Sequence, residues 1–168
     1  YSSGEERCIV SNQARTTRDA IDIEIENKHE RYVFVDTAGM RRKSRVENAI
    51  ERYSMLRAQM AIERSDVCVI MIDGTVGFTE QDSKVAGLAH EAGKGCVIAV
   101  NKWDAVEKTE NTLSLYRKRL QQDFSFMSYA DIIFISAKTG QRIDRLFEAI
   151  KEAAKANATR ITTGALNE

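Results

Sequence analysis

Val67-Cys-Val-Ile-Met-Ile72, closed by Asp73-Gly74, is the stretch whose reading decides the fold. The run is unbroken and mostly β-branched, with none of the apolar/polar alternation of a strand that has one face in water. A strand of this kind is buried on both faces, as in a parallel sheet covered by helices. Two later runs repeat the pattern, Cys96-Val-Ile-Ala-Val100 and Ile132-Ile-Phe-Ile135, each bounded by polar residues. Upstream, Ile21, Ile23 and Ile25 alternate with Asp22, Glu24 and Glu26, the period of a half-exposed strand. The turn Asn27-Lys-His-Glu30 and a second strand over Arg31 to Val35 make the pair a hairpin.

Helical spacing fills the intervals. Val46, Ile50, Tyr53, Leu56, Met60 and Ala61 share one face of a helix ending near Arg64. Val85, Ala86 and Ala89 mark a shorter helix after Thr79, and Leu113, Tyr116, Leu120 and Phe124 mark another. Ile143, Leu146, Phe147 and Ile150 mark the last, which runs out near Ala156. Strands alternating with helices predict right-handed crossovers and an open α/β sheet. No internal repeat interrupts the pattern, and proline is absent.

A chain of 168 residues builds one domain with a sizeable core. Its 25 basic and 25 acidic residues cancel, so net charge writes in no general attraction to nucleic acid or membrane. The three cysteines, Cys8, Cys68 and Cys96, have no metal-ligand or disulfide spacing. With no membrane span and no signal-peptide core, they point to a reducing, cytoplasmic setting. Cys68 and Cys96 lie in apolar runs and read as small buried hydrophobes.

In an open α/β sheet, ligands bind beyond the carboxyl ends of the strands. Three such ends carry polar clusters: Asp36-Thr37-Ala38-Gly39, Asn101-Lys102-Trp103-Asp104 and Ser136-Ala137-Lys138. Each has a bland alternative. Asp-Thr-Ala-Gly after a strand is more often a turn, Asn and Asp make ordinary turns, and Ser-Ala-Lys alone says little. Their joint occurrence, in order and each at a strand end, is what points to a site. Guanine presents two adjacent donors, N1–H and the exocyclic amine, which one carboxylate can accept together. Asp104 suits that role, with Asn101 and Lys102 bracing the base and the Ala137 N–H donating to O6. Asp36 suits water-mediated Mg²⁺ coordination, and the Gly39 N–H suits a γ-phosphate, because glycine lets the backbone approach closely.

Thr16-Thr17-Arg18-Asp19, Asp36-Thr-Ala-Gly39-Met40, Asn101-Lys-Trp-Asp104 and Ser136-Ala-Lys138 resemble the switch I, switch II and guanine-specificity motifs of the Era/Der/MnmE GTPases. Gly4-Glu-Glu-Arg7, Ile9-Val-Ser11, Glu80-Gln-Asp82, His90-Glu-Ala-Gly93-Lys94 and Lys102-Trp-Asp-Ala105 are similar to the second GTPase domain of the Der group. The resemblance implies a Ras-like, three-layer α/β/α domain with a mixed, mostly parallel sheet over 1–157, and 158–168 as a linker toward a KH-like domain. It implies a GTP-hydrolysing switch in ribosome assembly, with GTP or GDP as ligand and Mg²⁺ as cofactor. By it, Thr17 and Gly39 are catalytic and Thr17 and Asp36 hold the metal. Asp36, Thr37, Ala38 and Gly39 meet phosphate; Asn101, Lys102, Asp104, Ser136, Ala137 and Lys138 form the guanine site. Met40 stands where Ras-like proteins place a water-orienting glutamine, and the group is known for slow hydrolysis helped by K⁺ or a partner.

The chain departs from that pattern in two places. It contains no G-x-x-x-x-G-K-[ST] loop; Gly87 to Lys94 has the wrong spacing and joins a helix to a strand. The sequence opens where the family leaves its first helix, so the pattern's first strand, P-loop and first helix are missing. Their loss would leave two apolar strand edges with unpaired backbone groups, to be filled by further chain, another chain or an altered packing. Switch I reads Gln13-Ala14-Arg15 where the family has a glycine before the threonines. The competing reading is therefore a GTPase-derived fragment or engineered variant, inactive in hydrolysis, serving as an RNA-binding or structural module. The run Arg41-Arg42-Lys43-Ser44-Arg45 is either a solvated loop or a contact to large-subunit rRNA. His29 and His90 have no catalytic partner at useful spacing and read as structural.

Overall fold

In the computed structural model, residues 7–8, 23–26, 31–37, 39–40 and 48–167 are described. Six strands form one sheet in the order of the chain: β1 (Arg7–Cys8), β2 (Ile23–Glu26), β3 (Arg31–Asp36), β4 (Val67–Asp73), β5 (Gly95–Asn101) and β6 (Asp131–Phe134). β1, β2 and β3 are antiparallel neighbours, while β3 through β6 run parallel. The expected hairpin is present, with Ile23 facing Phe34 and Glu26 facing Arg31.

The helices are α1 (Asn48–Arg64), α2 (Glu80–Glu91), α3 (Thr112–Asp123) and α4 (Ile143–Asn167). The unbroken apolar runs are explained by cover on both faces. Cys68, Ile70 and Ile72 turn to one side and pack with Ile98, Val85, Ala89 and Leu120. Val67 and Val69 turn to the other and pack with Val97, Ile133, Leu146 and Ile150. Alternate residues of one strand thus feed two cores, which makes the sandwich three-layered. Cys68 and Cys96 are buried free thiols, as expected, and burial pushes the Cys68 thiol well above its ordinary range.

One open alternative is decided and two expectations are corrected. The two edges expected to lack partners pair with each other: Tyr32 faces Val67 and Asp36 faces Met71 in a parallel register. An altered packing thus satisfies the backbone groups that would otherwise be buried unpaired. The α1 face is also different, because Leu56 and Met60 are 55% and 50% exposed. Among the described residues Ala58, Ala61 and Ile62 are buried, with Met55 packed beside them, so Ala61 holds its expected place while Leu56 and Met60 do not. Finally, α4 continues past Ala156 to Asn167 rather than running out. Asn157 is buried, so polarity at that position marks a packed residue rather than a helix end.

Candidate guanine-nucleotide site

The parallel register brings the polar strand ends to one edge of the sheet. Asp73 of β4 lies opposite Asn101 of β5, and Asp36 of β3 lies opposite Met71. Ser136 lies just beyond β6, separated from it by Ile135, whose N–H donates to the Val100 carbonyl.

Asn101, Asp104, Ser136 and Ala137 form one hydrogen-bonded unit. The Ser136 hydroxyl donates to Asp104 Oδ1 at 2.7 Å, and the Ala137 N–H donates to Asn101 Oδ1 at 3.0 Å. Asp104 is exposed, and the Ser136 hydroxyl holds its carboxyl below the usual carboxylate range, helped by Lys138 and Lys108. At neutral pH it is an ionised, acceptor-only group facing water, as recognition of two donors requires. The Ala137 N–H is already engaged by Asn101, so a base oxygen at that position would share or displace this bond. The loop closes on itself through Thr139 N–H to Ser136 Oγ and a bridge between Ser136 and Gln141.

Lys102 adopts a left-handed backbone, φ 61°, and its ammonium meets Asp73 at 3.0 Å. Burial pushes the Asp73 carboxyl up, but hydrogen bonds from Thr75 and Lys102 outweigh it and the net direction is down. That lowered value makes its stabilising contribution present above the ordinary carboxylate range and lost as pH falls through the depressed value. Beneath the loop, Trp103 is 4% exposed and packs on Phe134, with ring centroids 4.6 Å apart, and edge-on to Tyr116 at 5.3 Å.

Sequence reasoning missed two members of this support. Asp73-Gly74 was legible only as a turn, and it is one, but it also braces the site. Its Gly74 N–H donates to the Asn101 carbonyl at 2.8 Å, and a Cβ at Gly74 would lie 2.7 Å from that oxygen, so only glycine fits. Tyr116 was read as a core position; its hydroxyl donates to the Gly74 carbonyl at 2.8 Å. The available signal was the Asp-Gly pair ending a strand in register with the one before Asn101.

Asp36 and Gly39 are also together, the Gly39 N–H donating to Asp36 Oδ1 at 3.1 Å. Thr37 is buried and Met40 lies in the core. The structure therefore groups Asp36, Thr37 and Gly39 at one strand end and Asn101, Lys102, Asp104, Ser136, Ala137 and Lys138 at the others. Ala38, Thr16, Thr17, His29 and the basic run Arg41, Arg42, Lys43 and Arg45 lie outside the described residues. His90 stacks on Tyr129, its Nδ1 2.9 Å from the hydroxyl, which matches its structural reading. A cleft of about 880 Å³ between the loop at Gly74–Phe78 and α3 includes none of the guanine-site residues in its lining. No described helix is long and apolar enough to cross a membrane.

Comparison with known proteins follows the same outline. The family model described as 50S ribosome-binding GTPase matches residues 2–102. GTPase Der of Acetivibrio thermocellus is 55% identical over 165 residues, 98% of this chain and 38% of that protein. GTPase Der of Agathobacter rectalis is 54% identical over 164 residues, 98% of this chain and 37% of that protein. The chain thus spans less than two-fifths of the length of these relatives. Among solved structures, a probable GTP-binding protein engB aligns with TM-score 0.57 and 23% identity, over 80% of this chain and 84% of that one. Era in complex with MgGDPNP and a 16S ribosomal RNA fragment aligns with TM-score 0.53 and 24% identity, over 62% of this chain and 34% of that one. At those identities the structures speak to the fold alone.

Proposed function

The chain belongs to the 50S ribosome-binding GTPases, and from that premise we propose that it is the guanine-nucleotide-recognising part of a Der-like switch that hydrolyses GTP to GDP and phosphate. The observation that carries this reading is the unit of Asn101, Asp104, Ser136 and Ala137. It holds an ionised carboxylate outward and fixes it from behind with Ser136. A carboxylate matched to guanine's two adjacent donors prefers it over adenine, whose edge offers no such pair.

Asp36 is the described residue that suits Mg²⁺. Among the described residues no group of three or more His, Cys, Asp or Glu could hold a metal by itself. Mg²⁺ binds through one or two carboxylates and the phosphates of its substrate, so one carboxylate can serve on the protein side. The ion supplies charge neutralisation when bound. Thr17, the second metal residue in this reading, and Ala38 complete the proposed phosphate and metal set with Thr37 and Gly39. Met40 is in the core and apolar, so it orients no water. That role falls to a K⁺ ion or a partner, and a lysine cradle for the phosphates is not encoded within these 168 residues.

We place the protein in the cytoplasm. Its partner in this reading is large-subunit rRNA, approached through Arg41, Arg42, Lys43 and Arg45, and 158–168 lead toward a further domain. The test is phosphate release from GTP by the intact protein in Mg²⁺. Slow release that rises with K⁺ or with large ribosomal subunits is expected. No release under any of these conditions would support the rival reading, a binding module without turnover.

A further inference from the structure

The motif Glu80-Gln81-Asp82 opens α2 and has no part in the guanine unit. We propose that Asp82 is a positioning residue for the Asp36–Gly39 turn, an inference that rests on the function proposed above. Its two carboxylate oxygens face different parts of the molecule. Oδ2 accepts from the Thr79 N–H at 2.8 Å and the Thr79 hydroxyl at 2.9 Å, which caps α2. Oδ1 accepts from the Thr37 hydroxyl, 45 residues away in sequence.

A capping box explains the first oxygen and not the second. Asp82 is 1% exposed, so withdrawing the Thr37 donor removes a buried hydrogen bond to a carboxylate, a stronger kind than one between neutral groups. The Thr37 hydroxyl carries one proton, and with Asp82 Oδ1 as its acceptor it ties the end of β3 to α2, while the parallel pairing of Asp36 with Met71 ties it to β4. Thr37 is covalently next to Asp36, whose Oδ1 takes the Gly39 N–H. Fixing Thr37 therefore fixes both groups proposed to meet metal and phosphate. Gln81 adds a second tie, its amide donating to the Met55 sulfur of α1 at 3.2 Å. The first turn of α2 thus grips the turn after β3 and the helix that follows it.

The test is made in the intact protein, with whatever sequence precedes and follows these residues. Asp82→Asn and Thr37→Val should each lower kcat for GTP about tenfold while KM stays within about twofold, on the scale of one buried charge-assisted hydrogen bond. The double variant should be no slower than the slower single variant, because both remove one interaction. Without nucleotide, amide exchange at Gly39 should quicken about tenfold in both variants, while that of β6 stays unchanged. Should Asp82→Asn fail to fold, Thr37→Val, close in volume, reads the same contact from the other side. Unchanged exchange at Gly39, or additive losses in kcat, would overturn the proposal. If the parent protein releases no phosphate from GTP, the function proposed above fails, and the exchange measurement alone decides this inference.

Discussion

Asp104→Asn lowers GTP affinity by about 100-fold or more and turns the preference toward xanthosine triphosphate, because a site built to hydrogen-bond a substrate rejects the mismatched analogue strongly. In the structure Ser136 Oγ donates to Asp104 Oδ1 at 2.7 Å. Asn at this position keeps an oxygen for Ser136, which turns its NH₂ outward where the carboxylate oxygen was. That donor opposes the exocyclic amine of guanine and matches the carbonyl that xanthine carries at the same position. Displacement titrations with GTP and xanthosine triphosphate on both proteins check it. Parallel losses for both nucleotides would mean that Asp104 shapes the loop rather than reads the base.

Phe134→Ala destabilises the domain by about 3–5 kcal/mol, the range for emptying a large aromatic site in a core. Phe134 is fully buried at the end of β6 and packs on Trp103 at 4.6 Å and Tyr116 at 5.8 Å. The Arg117 guanidinium covers it at 5.0 Å. Against a typical total of about 5–15 kcal/mol, that loss is a large share of the stability. Urea denaturation should show a lower midpoint at an unchanged slope. The guanine site should weaken as well, since Trp103 lies between Lys102 and Asp104 and loses its backing. A loss below about 1 kcal/mol would show that the Trp103 cluster collapses onto the space without cost.

Much of the fold was legible because fully buried parallel strands leave an unmistakable composition. Val67–Asp73, Gly95–Asn101 and Asp131–Phe134 are strands almost where the apolar runs placed them. The guanine unit was legible for a related reason: its residues follow strand ends directly, so sequence order gives their place on the sheet edge. What was not legible depends on contacts between distant segments. No local pattern shows that β3 pairs with β4, because backbone pairing is indifferent to most side chains. Leu56 and Met60 misled because helical spacing identifies a face but does not say whether large or small residues seal it. Asp82, Gly74 and Tyr116 act through hydrogen bonds to residues 45, 27 and 42 positions away, Thr37, Asn101 and Gly74 respectively. The roles of Thr17 and Ala38 stand on resemblance, and that of the basic run on its charge.

The central claim is that the chain reads guanine through Asp104. Its most direct test is competition at equilibrium, with a fluorescent guanine nucleotide bound to the wild-type protein and unlabelled GDP, GTP, ADP and ATP added in turn. GDP and GTP should displace the label, and ADP and ATP should not even at roughly 100-fold higher concentration. Displacement by ATP at the same concentration as GTP would contradict it.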